Sequence, residues 1–159
     1  MITEFQPLID ALPSLIDEWE PKLNALPESL ITERKNLQNR SIKQIIGHMI
    51  DSASNNLHRV VHQQYRESPL EFPNYATYGN NDRWIAIQNY QHEDRKLLLA
   101  LWKYLNLHFI HVVKNIDENK LDNLWNSGDG TMVSLRDSVV DYLRHFKLHL
   151  QEIDELIEI

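Results

Sequence analysis

Hydrophobic side chains recur every three or four residues in four segments of the chain, which is the spacing that lines one face of an α-helix. The first segment runs from about Thr3 to Asn24, and its stripe comprises Phe5, Leu8, Ile9, Leu12, Leu15, Ile16, Trp19 and Leu23. Pro7 fits a first helical turn, but Pro13 and Pro21 each remove an internal hydrogen bond. We therefore expect a helix with a kink or a break near these two prolines.

The second helix is predicted to begin at Ser41. Gln44 lies three residues further on, and this pair has the pattern of a capping box, in which each side chain accepts a hydrogen bond from the other residue's backbone amide. The helix continues to about Arg66, with apolar side chains at Ile45, Ile46, Met49, Ile50, Ala53, Leu57, Val60 and Val61. Residues 28–39 are predicted to form a polar connection, and the Pro-, Tyr- and Asn-rich segment up to Asn81 a loop long enough to act as a lid.

Two more helices follow this loop. A short helical turn is predicted near Asp82, and the third helix, which ends near Asn115, carries Leu97, Leu98, Leu101, Trp102, Leu105, Phe109 and Val112. Residues 126–130 form a Gly-containing loop. Ser134 and Asp137 open the fourth helix, whose stripe comprises Leu135, Val139, Leu143, Phe146, Leu150, Ile153 and Ile157.

The composition agrees with a helical protein. Only 4 of the 159 residues are Gly and 6 are Pro, which is too few turn residues for an all-β chain. The 42% of hydrophobic and 25% of charged residues are typical of a globular chain and not of a disordered one. With neither repeats nor strand patterns, the sequence predicts an all-α four-helix bundle with long connecting loops, in a single domain over residues 1–159.

Charge and hydropathy limit the partners. The net charge of −7 opposes binding to nucleic acid or to an anionic membrane, because phosphate binding needs an excess of Lys and Arg. No apolar run approaches the roughly 18 residues of a membrane span, and Met1–Glu4 does not resemble the start of a signal peptide. We expect a cytoplasmic protein with no nucleic-acid and no membrane partner.

Eight histidines and no cysteine restrict the possible metal ligands to His and carboxylate side chains. His145 and His149 lie one turn apart beside the apolar stripe of the fourth helix, so both imidazoles can point at one ion. His48, on the flank of the second helix, is best placed to supply a third ligand. A His pair at this spacing lies more often on the surface than in a metal site. Spacing alone therefore does not establish that His145 and His149 bind a metal ion.

His58 and His62 have the same spacing and are a rival pair. His62 lies about 21 Å along the helix axis from His48, so the two cannot share an ion. We expect a solvated or packing role for this pair and for His92, His108 and His111.

Two segments resemble the motifs of the DinB-like superfamily, and particularly of its YfiT-like branch. They are Gly47-His48-Met49-Ile50-Asp51-Ser52 with Asn55 and Arg59, and Tyr142-Leu143-Arg144-His145-Phe146-Lys147-Leu148-His149. The similarity extends from about Pro7 to Ile153 and includes the order of the helices and loops. It implies a four-helix bundle that binds a divalent ion such as zinc or nickel, with ligands that correspond to His48, His145 and His149 here.

The resemblance also implies a class of activity. Three neutral imidazoles leave an ion with its full double charge and with open positions, so it can activate a nucleophile. Relatives include transferases that use bacillithiol or mycothiol, a thiol-dependent isomerase and proteins described as hydrolases. We expect a metal-dependent S-transferase or hydrolase, with a low-molecular-weight thiol or water as nucleophile and a small-molecule substrate, in a chain that forms a homodimer. The alternative is a non-catalytic, metal-stabilised bundle that acts as a stress-related binding module.

Further residues of the motifs are candidates for supporting roles. Asp51 or Glu152 is expected to orient an imidazole through its second nitrogen. Asn55 and Arg59 are candidates to hold an anionic group of the thiol or substrate, although Arg59 is equally suited to a salt bridge with an acidic neighbour.

Three tryptophans, Trp84, Trp102 and Trp125, are candidates to line a pocket. Large aromatic residues in a bundle more often belong to the core, which is what we expect for Trp102 and Trp125. Trp84 lies beside the suspected lid and is the one retained as a site candidate.

Overall fold

Six α-helices make up most of the computed structural model, which describes residues 1–159. They are α1 (Gln6–Ala25), α2 (Glu28–Glu33), α3 (Ile42–Tyr65), α4 (Asn80–Gln88), α5 (Arg95–Lys114) and α6 (Leu135–Glu158). Short 3₁₀ turns occupy Thr3–Phe5, Tyr90–His92 and Glu118–Lys120. The four long helices α1, α3, α5 and α6 pack together as a bundle, which confirms the fold predicted from the four apolar stripes.

The apolar faces of these helices meet in one hydrophobic cluster of 32 buried residues. Its largest fully buried side chains include Trp102, Phe5 and Phe109. α1 and α3 each pack against both α5 and α6, so every long helix has two neighbours in the bundle. No helix of the chain has both the length and the apolar character needed to cross a membrane.

Serine caps fix where α3 and α6 begin, as the sequence predicts. Ser41 Oγ accepts a hydrogen bond from the Gln44 amide at 3.2 Å, and the Ser41 amide donates to Gln44 Oε1 at 2.9 Å. At α6, Ser134 Oγ accepts from the Asp137 amide at 3.0 Å. The caps set the register of the two helices that carry the candidate histidines.

The N-terminal segments differ from the sequence prediction in two ways. Of the expected kink or break near Pro13 and Pro21, the break does not occur, since α1 continues through both prolines. Its buried side chains include Leu12, Ile16 and Leu23, and their packing offsets the lost hydrogen bonds. The predicted polar connection at residues 28–39 contains the short helix α2, which buries Ile31 against the core.

A small sheet, which the sequence analysis did not predict, joins the connecting loops. Its strands are β1 (Leu70–Glu71), β2 (Leu124–Asn126) and β3 (Met132–Ser134), in the order β1-β2-β3. β1 pairs parallel to β2, with Leu70 opposite Trp125, and β2 pairs antiparallel to β3. Strands of two or three residues are too short to show an alternating pattern in the sequence. The sheet ties the loop after α3 to the loop before α6 and places Trp125 beside the candidate site.

Candidate metal centre and its cavity

Three histidine side chains converge between α3 and α6. His149 Nε2 lies 3.0 Å from His48 Nε2 and 3.0 Å from His145 Nε2. The ligand atoms of all three residues lie within 4.8 Å of one another. His48 and His149 are buried, and His145 is partly exposed. The structure thus brings together the three histidines that the sequence analysis singled out.

The antiparallel packing of α3 and α6 produces this convergence. His48, near the start of α3, meets His149 in the second half of α6. At the other end of α3, Gln63 Nε2 donates to the Val133 carbonyl just before α6, at 3.4 Å. His145 and His149 are four residues apart, so they lie on the same face of α6 and turn towards α3 together.

The outer nitrogens of two imidazoles are held by hydrogen bonds that orient the rings. His149 Nδ1 lies 2.9 Å from Glu152 Oε2, and the carboxylate accepts the Nδ1 proton. His48 Nδ1 lies 2.7 Å from Tyr75 Oη. Tyr75 in turn donates to Asp51 Oδ2 at 3.5 Å, which leaves its oxygen to accept the proton of His48 Nδ1. In this arrangement both rings carry their proton on Nδ1, so the lone pairs of the two Nε2 atoms are free to bind a metal ion.

Asp51 therefore orients His48 indirectly, by accepting a hydrogen bond from Tyr75. The expected direct contact between Asp51 and an imidazole does not form. The carboxylate is buried, and its Oδ1 accepts from Tyr90 Oη at 2.6 Å and from Gln88 Nε2 at 2.8 Å. Burial raises the pKa of Asp51, and the hydrogen bonds from Tyr90, Gln88 and Tyr75 oppose that shift. Burial also raises the pKa of Tyr75, so the phenol keeps its proton for this bond.

Burial keeps His48 and His145 uncharged at neutral pH. It lowers the pKa of His48 to about 2, with a further contribution from the neighbouring charge of His149. Burial likewise lowers the pKa of His145 to about 4. Neutral imidazole is the form that binds metal ions, so these two ligands need lose no proton near pH 7.

A cavity of about 560 Å³ opens beside the cluster and is lined by His48 and His145 at one end. Its walls come from α3, α6, the loop after α3 and the strands β2 and β3. Asn55 lines it, with its amide nitrogen bonded to the Asp51 carbonyl at 2.9 Å. The cavity is large enough for a small molecule that contacts the histidines.

Arg59 lines the same cavity. Its guanidinium carbon lies 4.0 Å from the ring centroid of Trp125, and Nη2 donates to Asn56 Oδ1 at 2.6 Å. Burial lowers the pKa of Arg59 to about 10, so it stays charged at neutral pH. No carboxylate forms an ion pair with Arg59, so the salt bridge considered from the sequence does not form in this structure.

The aromatic residues of the cavity differ from those expected. Trp84 lies outside the cavity lining, 40% exposed on α4, with its ring edge against Tyr75. Trp102 is fully buried in the core, as expected. Trp125 is also buried but lines the cavity together with Tyr75. Tyr75 comes from a loop and Trp125 from the short strand β2, and in neither segment does helical periodicity mark the direction of a side chain.

The other five histidines join no cluster of three ligand-type side chains. The rings of His58 and His62 have centroids 6.4 Å apart, and His62 Nδ1 lies 2.9 Å from Tyr65 Oη. The remaining three, His92, His108 and His111, are exposed. The rival pair thus lacks a third ligand.

The chain is a four-helix bundle in which three histidines converge at the end of a cavity. Its fold is similar to that of YfiT from Bacillus subtilis, described as a probable metal-dependent hydrolase with an unusual four-helix bundle topology. The TM-score is 0.76 at 18% identity, over 98% of this chain and 88% of that one. The chain therefore shares the fold of YfiT, which is the four-helix bundle that the sequence predicts.

A second solved structure with this fold is the mycothiol-dependent maleylpyruvate isomerase. Its TM-score is 0.71 at 14% identity, over 94% of this chain, which spans 62% of the length of the isomerase. Comparison with protein-family models gives no match, and comparison with curated proteins gives none either.

Proposed function

We propose that His48, His145 and His149 bind one divalent metal ion, and that the protein uses it to activate a nucleophile for attack on a small electrophilic substrate. The observation that carries this proposal is the convergence of three imidazole nitrogens within 4.8 Å at one end of a cavity. Nitrogen ligands at about 2.1 Å from one ion lie about 3.4 Å apart in tetrahedral geometry, close to the 3.0 Å separations here.

The donor set fits an ion of intermediate softness. Neutral imidazoles suit zinc and nickel, which are the two metals we propose. A structural site is normally closed by a fourth protein ligand, whereas this cluster has three and adjoins a cavity. This favours catalysis over the alternative of a metal-stabilised binding module.

The chain's own residues prepare the site. Glu152 holds the ring of His149, and Tyr75, itself bonded to Asp51, holds the ring of His48. When bound, the ion supplies Lewis acidity, which lowers the pKa of a thiol or of water. The cavity beside His145 gives the nucleophile and the substrate access to the same point.

For the nucleophile we propose a low-molecular-weight thiol of the bacillithiol type. The chain has no cysteine, so a thiol nucleophile must come from another molecule. The name of the mycothiol-dependent isomerase supports this choice, and the description of YfiT as a probable hydrolase supports water as the second candidate.

Metal content tests the first part of the proposal. Protein purified without added metal is expected to contain about one divalent ion per chain, and His145→Ala/His149→Ala to contain none. The matched control is His58→Ala/His62→Ala, which removes a pair of identical spacing from α3. Equal metal in the His145/His149 double variant and the wild type would contradict the proposal.

An activity screen tests the second part. The protein is incubated with 1-chloro-2,4-dinitrobenzene as an electrophile, with and without bacillithiol, cysteine or glutathione, and with p-nitrophenyl acetate as an ester. Chelator-sensitive acceleration by a thiol is the expected result. Chelator-sensitive ester cleavage without thiol would establish hydrolysis instead, and no turnover with any pair would favour the binding module.

The proposal also covers the assembly. We propose a homodimer that acts on a small molecule, and light scattering at micromolar concentration is expected to give twice the mass of the 18.8 kDa chain. A monomer mass would contradict it. The cytoplasmic location and the lack of a nucleic-acid partner stay predictions from the sequence.

A further inference from the structure

The cavity is lined by Arg59, a cation with which no acidic side chain of the chain forms an ion pair. Arg59 follows His48 by eleven residues, which is three helical turns and about 16 Å along the same face of α3. Its Nε is buried without a hydrogen-bond partner, although Nη2 bonds Asn56. A largely desolvated cation of this kind is stabilised by an anionic partner. The chain itself provides none.

Ser138 offers a second unpartnered group in the same cavity. Its side chain is 8% exposed, and Oγ is buried with no hydrogen-bond partner. Ser138 lies two turns before His145 on α6, and α6 runs antiparallel to α3, so it lies towards the Arg59 end of the cavity. Buried polar groups are nearly always hydrogen-bonded. Both atoms have almost no accessible surface, so a ligand reaches them when the side chains of the cavity wall rotate. Two buried donors without acceptors in one cavity wall therefore point to an acceptor that the ligand brings.

The surrounding charges favour one type of anion. Asp129, Asp137 and Asp141 line the same cavity and oppose the entry of a dianion such as phosphate. A carboxylate carries a single charge and matches the planar guanidinium of Arg59. The walls combine polar side chains with apolar surface from residues such as Tyr75 and Trp125, so the rest of the ligand has mixed polarity.

We propose that Arg59 and Ser138 bind the carboxylate of a small ligand whose reacting group lies at the three histidines. The position of the reacting group rests on the proposed function, whereas the carboxylate site depends only on Arg59, Ser138 and the walls around them. The proposed function and the carboxylate site can therefore be refuted independently of each other.

The test uses the full chain, kept metal-free with a chelator, and a matched pair of probes. N-acetyl-glycylglycine carries a carboxylate, and its C-terminal amide has the same size and the same polar backbone without the charge. We expect calorimetry to show the acid binding at least about tenfold more tightly than the amide, since charge-assisted hydrogen bonds are the stronger ones. The ¹⁵N NMR signal of Arg59 Nε–H is expected to shift with the acid and not with the amide.

Substitutions test whether Arg59 and Ser138 cause the tighter binding of the acid. Arg59→Gln is expected to abolish the preference for the acid, and Ser138→Ala to reduce it about threefold. Arg66→Gln is the matched control, because Arg66 is exposed and its side chain has no hydrogen bond or ion pair, and it is expected to keep the full preference.

Three results would overturn the carboxylate site: an unshifted Arg59 signal at saturating acid, equal binding of acid and amide, or tighter binding of inorganic phosphate than of the acid. The NMR signal of the wild type decides the question even if Arg59→Gln fails to fold. Carboxylate binding by a chain that takes up no metal would refute the proposed function alone. A normal metal content without carboxylate binding would refute this inference alone.

Discussion

At the scale of single residues, the geometry of the cluster depends on side chains that do not belong to the histidine triad. Tyr75 holds the outer nitrogen of His48, and Glu152 holds that of His149. The position of Glu152 on the same helix as its partner made it a candidate from the sequence. Tyr75 was missed because a loop residue has no periodicity that predicts its direction, and its only signal was its place in the suspected lid.

Replacement of Tyr75 by Phe removes one hydroxyl and keeps the ring. We expect Tyr75→Phe to weaken metal binding about tenfold or more, since loss of an outer hydrogen bond to a metal-ligating histidine typically costs 10- to 100-fold. Competition with a chromophoric chelator measures the affinity. Tyr78→Phe, in the same loop but exposed and with no hydrogen bond from its hydroxyl, is the control and is expected to bind as the wild type does. Equal affinity in the two variants would show that Tyr75 does not support His48.

At the scale of elements, the long helices were predictable because their stripes repeat over five or more turns. The short elements were not. α2 has six residues and the strands two or three, so local patterns do not distinguish them from loops. Trp125 was expected in the core because large aromatic residues of a bundle usually lie there, whereas its place on β2 makes it a wall of the cavity.

The contact between α3 and the 3₁₀ turn at Tyr90 depends on a glycine. A Cβ at Gly47 would lie 2.2 Å from Tyr90 Cδ2, so Gly47→Ala would displace the ring that donates to Asp51. We expect the variant to lose about 1–3 kcal/mol of unfolding free energy through overpacking, as measured by urea denaturation. Ser54→Ala on the same helix is the control and is expected to change the unfolding free energy little. A fully stable Gly47→Ala would show that Tyr90 can move aside without cost.

At the scale of the whole molecule, the bundle holds His48 and His145 in their neutral forms against the core, so stability is linked to pH. In the unfolded chain His48 and His145 have an ordinary pKa of about 6.5, whereas burial lowers their pKa values in the folded chain to about 2 and about 4. The unfolded chain therefore binds more protons in this interval. The stability of the metal-free protein is fully present above pH 6.5 and falls as the pH decreases towards 4.

Urea midpoints of the chelated protein between pH 8 and 4.5 measure this loss. The double variant His48→Gln/His145→Gln is expected to show a flatter pH dependence, while His92→Gln, which changes an exposed histidine, is expected to keep the slope of the wild type. Identical slopes in the double variant and the wild type would mean that the two buried histidines are not responsible.

Binding of one divalent ion by the three histidines can be seen by anomalous diffraction from crystals of the zinc-loaded protein, recorded at the zinc absorption edge. We expect one strong peak per chain, about 2.0–2.1 Å from the Nε2 atoms of His48, His145 and His149. A peak at His58 and His62 instead, or no peak between α3 and α6 at full zinc loading, would contradict it.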